Sequence, residues 1–392
     1  MNKISKRVYL DYNATTPVDP EVLDAMLPYF CGDFGNAASI HTTGQKARSA
    51  VETAREQVAA LIGAQPQEIV FTSGGTESDN HAIFGVFDPA DYAGKIAICS
   101  AIEHEAVLNT CQSLAARGVR VPYLLVGRDG RVDPEDLRNM LDAHPGATLL
   151  TVMHASNELG SVQPLEQLGE LAMEADVYFH TDAVQSAGKL PIDVNKLQAD
   201  LLSISAHKIY GPKGVGALYV RSGTTLRQFF YGGHHQRGLR PGTENVAGIV
   251  GLGKAAELAK NFLEPDAIHV GALRDDLERG LLQRVPESRV NASTAVRIPN
   301  TTNLLFPGVD GEALLIALDL KGLSCSTGSA CSSGAVEPSH VLTAIGLAAA
   351  EARSSLRFSL GRHTTREEID YALLVIPETV ERLREISPKY AK

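Results

Sequence analysis

The 392-residue sequence carries 36 Lys and Arg against 46 Asp and Glu, a net charge of −10, with 44% hydrophobic and 21% charged residues. That length allows two or three domains and a large core, and the composition is that of a folded globular chain. The acidic balance argues against a protein that neutralises nucleic-acid phosphates, and no apolar run approaches the roughly 18 residues needed to span a bilayer. The opening MNKISKRVYLDYNATTP turns polar after a few basic residues, unlike a secretory signal, so a cytoplasmic location is expected. Five cysteines (Cys31, Cys99, Cys111, Cys325, Cys331) form no CxxC pair and no zinc-ligand spacing, so no metal site is expected and the thiols are read as reduced.

From about residue 47, β-rich stretches alternate with helical patterns. A helical stretch over 47–64 leads into EIVF (68–71), followed by helix-compatible SDNHAIFGVF. KIAICS (95–100) precedes EAVLNTCQSLAARG, and ATLLTVMH (147–154) precedes PLEQLGELAMEAD. VYFH (177–180), DLLSIS (200–205) and GALYVR (216–221) follow. Strands separated by helix-length segments predict βαβ units and a mostly parallel sheet covered on both faces. In such sheets ligands sit beyond the carboxyl ends of the strands. The polar clusters fall there: SGGTESDN, AIEHE, ASNE, TDAVQ and AHK each follow a strand. After about 262 the pattern changes to longer amphipathic segments mixed with strand-like RVNAS, TTNLLFP and RFSL, which predicts a smaller α+β domain.

Three strand ends carry chemistry. Gly74-Gly75-Thr76 between a strand and a helix offers backbone N–H groups to a phosphate, although a plain turn and cap has the same look. Asp182 follows a very apolar strand, where a carboxylate is costly unless paired; it can also be an ordinary N-cap. Lys208 follows Ser205 and His207 at another strand end, where crowding lowers an amine's pKa, and the alternative is a solvated loop lysine. Together, a phosphate cradle, an Asp and a Lys are the parts that hold pyridoxal 5′-phosphate: the Lys forms the Schiff base, the Asp pairs with the ring nitrogen and the helix N-terminus takes the phosphate. Cys331 lies in SCSTGSACSSGAVEP, small residues with little to pack, which reads as a mobile exposed loop carrying an accessible thiol.

In order along the chain, YLDYNATTP, FTSGGTESDN, EHEAV, HTDAVQ, SAHKIYGPKGVG, RPGTEN, STGSACSSG and LRFSLGR together resemble the cysteine desulfurases of the iron–sulfur-cluster and nitrogen-fixation type. The resemblance implies a fold-type I, pyridoxal-phosphate-dependent α/β transferase. Its large domain would span 15–261, with a small α+β domain over 1–14 and 262–392 bearing the cysteine loop at about 323–336. It implies that Lys208 holds the cofactor and moves the Cα proton, and that Asp182 pairs with the ring nitrogen while Gln185 bonds the ring hydroxyl. His104 would stack on the ring as an acid/base, with an exposed helix-start histidine as the alternative. Gly75, Thr76, Ser205 and His207 would hold the phosphate, and Thr243 would reach the cofactor of a partner subunit in a homodimer. Asn13, Asn157 and Arg357 would bind the substrate, Arg357 by its carboxylate-matching fork, the alternative being an ordinary edge arginine. Cys331 would take the sulfur of L-cysteine as a persulfide, releasing alanine, and pass it to a sulfur-acceptor protein such as a cluster scaffold or sulfur carrier.

The sequence departs from the family pattern at Cys325, read as a packing residue with an off-pathway disulfide to the loop on oxidation as the alternative, at Ser156, and at His235 and Gln236, where a changed dimer contact is expected. The chain ends at EISPKYAK, short of the extension with which some members dock a scaffold. Other readings are a selenocysteine lyase, another β-lyase or aminotransferase of the same fold, or a non-catalytic iron–sulfur assembly platform with Cys331 as a transient ligand. The Cys331 loop separates the first from an aminotransferase, which has no use for a mobile thiol.

Overall fold

In a computed structural model of the chain, residues 7–327 and 338–386 are described. Seven strands form the main sheet, in the spatial order Ile69–Thr72, Gly216–Val220, Leu201–Ser205, Tyr178–Asp182, Leu149–Thr151, Ala97–Ser100, Tyr123–Leu124. Gly216–Val220 runs antiparallel to both its neighbours, and every other pairing in the sheet is parallel. The five strands read as ending in polar clusters therefore point their carboxyl ends to one edge.

Alternation along these strands shows why both faces are covered. Ile98, Leu150 and Phe179 join one apolar cluster with residues of helices Thr42–Ile62, Leu165–Glu174 and Val246–Asn261. Ala97, Cys99 and Leu149, one residue out of phase, join Ile83 and Val107, Cys111 and Leu114 of helices Gly75–Gly85 and Glu105–Ala115. Successive side chains of a strand face opposite ways, so a two-sided core needs such near-continuous apolar strands. Helices Thr42–Ile62 and Val246–Asn261 approach closely at Gly253, where a Cβ would lie 2.6 Å from Ala54 Cα. No described helix is long and apolar enough to cross a membrane.

A separate apolar cluster gathers Val8 and Leu10 with residues from Val270 to Val380. It includes the antiparallel sheet Ser355–Ser359, Thr301–Leu305, Arg289–Val290 and the parallel pair Val8–Tyr9 with Leu323–Ser324. The start of the expected mobile loop is thus ordered. Residues 323–324 are a strand, and the backbone of Ser326 exchanges two hydrogen bonds with Arg357 at 2.7 and 3.2 Å. Main-chain pairing, invisible in the small-residue composition, holds this stretch. Cys331 lies outside the described residues.

Gln236 is buried, and its Oε1 accepts from Arg55 Nη1 and from the backbone N–H of Phe71, both at 3.0 Å. Cys325 is buried in the smaller core, and that burial pushes its thiol pKa up, as suits a packing residue.

Candidate active site at the carboxyl edge of the sheet

The strand ends and the smaller sheet enclose a cavity of about 370 Å³. Asn13, Gly75, Thr76, His104, Asn157, Asp182, Gln185, Ser205, His207, Lys208 and Arg357 all line it, residues that are as much as 344 positions apart in sequence (357 − 13). Thr243 is exposed and is not among the lining residues.

Each lining residue is placed by its element. Gly75 opens the helix Gly75–Gly85, whose first-turn N–H groups have no intrahelical acceptor, and a Cβ at Gly75 would meet Val184 Cγ2 at 2.8 Å. Only glycine lets the helix start lie that close to the strand end bearing Asp182. Lys208 closes the short turn Ala206–Lys208, and its Nζ donates to the carbonyl oxygens of Asn13 and, at 2.9 Å, Ala14. Burial, with Arg357 adding repulsion, lowers the Lys208 pKa to about 8 against the opposing pull of Asp182 and Asp11. A fraction of the amine is therefore neutral near physiological pH, the form a nucleophile or base requires.

Asp182 ends its strand and is 7% exposed; its Oδ1 accepts the Val184 N–H at 2.8 Å. Burial raises its pKa, while His104, that N–H and Lys208 act in the other direction. Among the described residues no cation is hydrogen-bonded to this carboxyl, and a protonated ring nitrogen in the cavity would supply one. His207 is held neutral, its pKa lowered to about 4 by burial and then by Lys208, with Nδ1 3.1 Å from Thr15 Oγ1.

His104 does two jobs. It lines the cavity while exposed, and its Nδ1 accepts the Ala106 N–H at 3.1 Å, capping helix Glu105–Ala115. That bond leaves Nε2 to carry the proton of the neutral ring. The helix-start position of this histidine and its place at the cavity therefore occur together.

Several neighbours were not singled out in the sequence. Asp11 pairs with Arg357, and Lys189 reaches Gln185 and Asn13. Asp79 lines the cavity with Oδ1 unpartnered among the described residues, 3.6 Å from His180 Nε2. Burial, then the charge of Asp182, pushes Asp79 well above the usual carboxyl range. Glu103, behind His104, accepts the Met153 N–H at 2.6 Å and is likewise pushed up by burial. Asp79 and Glu103 lie inside FTSGGTESDN and EHEAV, but only their burial marks them. Asn13 is a hub: its side chain meets Asn157 O at 3.0 Å, Thr301 Oγ1 at 2.8 Å and Asn300 Nδ2 at 2.9 Å.

A glycine-floored helix start, a lysine made less basic, a buried carboxyl with no hydrogen-bonded cation among the described residues and a buried arginine fit pyridoxal 5′-phosphate with an α-amino acid. The aminotransferase class-V family matches residues 8–372. A cysteine desulfurase, IscS, of Anaeromyxobacter dehalogenans is 51% identical over 386 residues, covering 98% of this chain and 95% of that protein. The same-named protein of Dictyoglomus turgidum is 48% identical, covering 98% and 97%. A solved NifS-like protein superposes with a TM-score of 0.89 at 38% identity, covering 96% of this chain and all of that one. The chain therefore belongs to the class-V aminotransferases and, within them, to the cysteine desulfurases.

Proposed function

We propose that the protein is a pyridoxal-phosphate-dependent cysteine desulfurase that moves the sulfur of L-cysteine to Cys331 and releases L-alanine. The convergence of Lys208, Asp182 and Arg357 on one cavity carries the reading. Arg357 takes the substrate carboxylate, with Asn157 and Asn13 beside it. Lys208, lowered to about 8, holds the cofactor and then carries the Cα proton. When bound, the cofactor stores the electron pair released at Cα, an ability that Asp182 sustains at the ring nitrogen. Gly75, Thr76, Ser205 and His207 hold the phosphate, Gln185 meets the ring oxygen, and His104 serves as acid/base at the substrate thiol. The Cβ–S bond breaks as the Cys331 thiolate bonds to that sulfur; the Cβ gains a proton and leaves as alanine, so one thiol and cysteine become one persulfide and alanine.

The reading extends to a homodimer in which Thr243 reaches the partner's cofactor, to a cytoplasmic setting, and to a protein that accepts the sulfur. It also divides the chain into 15–261 and 1–14 with 262–392. The separate apolar cluster joining Val8 and Leu10 to residues beyond 270 supports that division. The test is to incubate the protein with L-cysteine and a reductant: equimolar alanine and sulfide are expected, and mass spectrometry without reductant should find one extra sulfur on the Cys331 peptide. Full turnover by Cys331→Ser would instead make the protein a simple β-lyase.

A further inference from the structure

Gln185 carries a side chain whose two ends are nearly the same shape, so its partners alone decide which end faces the cavity. Its Oε1 accepts from Lys189 Nζ at 2.9 Å, and its Nε2 donates to the carbonyl oxygen of Asn13 at 2.9 Å. A flipped amide would set NH2 against the ammonium and oxygen against oxygen, turning both contacts repulsive. Lys189 Nζ also lies 3.5 Å from Asn13 Oδ1, and the Asn13 carbonyl oxygen accepts from Lys208 as well. Asn13 cannot turn to accommodate a flip, because Asn300 donates to its Oδ1 while its Nδ2 donates to Asn157 and Thr301. The amide group has two N–H bonds and one is used at Asn13, leaving the second for the cavity.

From this geometry we propose that Lys189 is a positioning residue: its ammonium locks Gln185 so that an N–H, not the carbonyl oxygen, faces the bound cofactor. The inference rests on the reading above, in which Gln185 meets the cofactor's ring oxygen. A donor there favours the anionic ring oxygen, and this holds down the pH at which the bound chromophore loses its proton.

Lys189 sits near two like charges. Lys208 faces it from the turn after strand Leu201–Ser205, beside the neutral His207, and Arg357 faces it from the smaller sheet. A small cavity of about 40 Å³ on its other side is lined by Tyr210, Asp266 and Arg362. Burial, then Lys208 and Arg357, lower its pKa to about 7, so the charged lock is complete below that pH, while above it the neutral amine still donates to Gln185 Oε1. Without the acceptors on Gln185 and Asn13 a lysine would gain nothing by lying here.

The experiment is a spectrophotometric pH titration of the bound cofactor in the holoenzyme, for wild type, Lys189→Met and Lys189→Arg, each also in a Gln185→Leu background. Lys189→Met should raise the midpoint by about one pH unit, the size of one charge-assisted hydrogen bond, and Lys189→Arg should stay near wild type. In the Gln185→Leu background the same Lys189→Met change should move the midpoint by less than about half as much, the remainder being the charge of Lys189 acting directly. An unchanged midpoint in Lys189→Met, or an equal shift in both backgrounds, would overturn the inference while leaving the functional reading in place. Should Lys189→Met fail to fold, Lys189→Gln carries the same comparison. A wild-type protein that takes up no cofactor would overturn the functional reading, and the inference with it.

Discussion

Arg357 donates from Nη2 to Asp11 Oδ1 at 2.7 Å and from Nη1 to the carbonyl oxygen of Asn157 at 2.9 Å, while its buried Nε has no partner among the described residues. The guanidinium is thus oriented by two fixed acceptors, with a donor left over beside the cavity. An unmet N–H in a buried arginine costs free energy, which an incoming carboxylate would relieve on the proposed reading.

Arg357→Lys keeps a cation beside Asp11 but removes the fork. We expect kcat/KM for L-cysteine to fall by roughly 10- to 100-fold, mainly through KM, the loss of one or two charge-assisted bonds. Steady-state kinetics of alanine release measure it. An unchanged KM would mean that the carboxylate binds elsewhere.

Lys208→Ala should abolish alanine formation and leave no cofactor that borohydride can attach to the chain. Absorption spectra and mass spectrometry of the reduced protein check both points. Retained covalent labelling would assign the attachment to another amine, with Lys189, which reaches Gln185 behind the cavity, the first to test.

His104 separates capping from chemistry. Asparagine is a strong N-cap, so His104→Asn should unfold within a few tenths of a kcal/mol of wild type, whereas His104→Ala should lose about 1 kcal/mol. Turnover should fall in both. If His104→Asn kept full turnover, the histidine would be a cap and nothing more.

His154 is buried with Nδ1 unpartnered among the described residues, and burial lowers its pKa from 6.5 to about 4. The unfolded chain therefore binds the extra proton first as pH falls. The stability this neutral ring contributes is complete above pH 6.5 and is lost progressively towards pH 4, amounting to at most about 3 kcal/mol. Urea midpoints between pH 4 and 7 should flatten in His154→Gln relative to wild type. Parallel curves would show that another group carries the acid sensitivity.

The alternation of Ile98, Leu150 and Phe179 with Ala97, Cys99 and Leu149 was legible in the sequence because covering two faces demands continuous apolar strands. The polar clusters after those strands hold eight of the eleven expected residues that line the cavity; Ser205 ends a strand, and Asn13 and Arg357 came from the resemblance alone. The pair Val8–Tyr9 and Leu323–Ser324 was not legible: each strand is two residues long, too short for any period, and its partner is more than 300 residues away. Helix Pro134–Ala143 and strand Tyr123–Leu124 also went unread, the strand for the same reason of length.

The sequence by itself determined the βαβ order, the common edge to which the strands deliver Asp182, His207 and Lys208, and the family to which the motifs belong, because periodicity and turn chemistry act over a few residues. Only the tertiary structure decided that Asp11 meets Arg357, that Lys189 holds Gln185, and that Asp79 and Glu103 are buried deeply enough to resist ionisation. Desolvation and hydrogen-bond pairing depend on what the folded chain brings within a few ångströms. A lysine in AGKLP or an aspartate in YLDYN carries no local mark of its eventual neighbour.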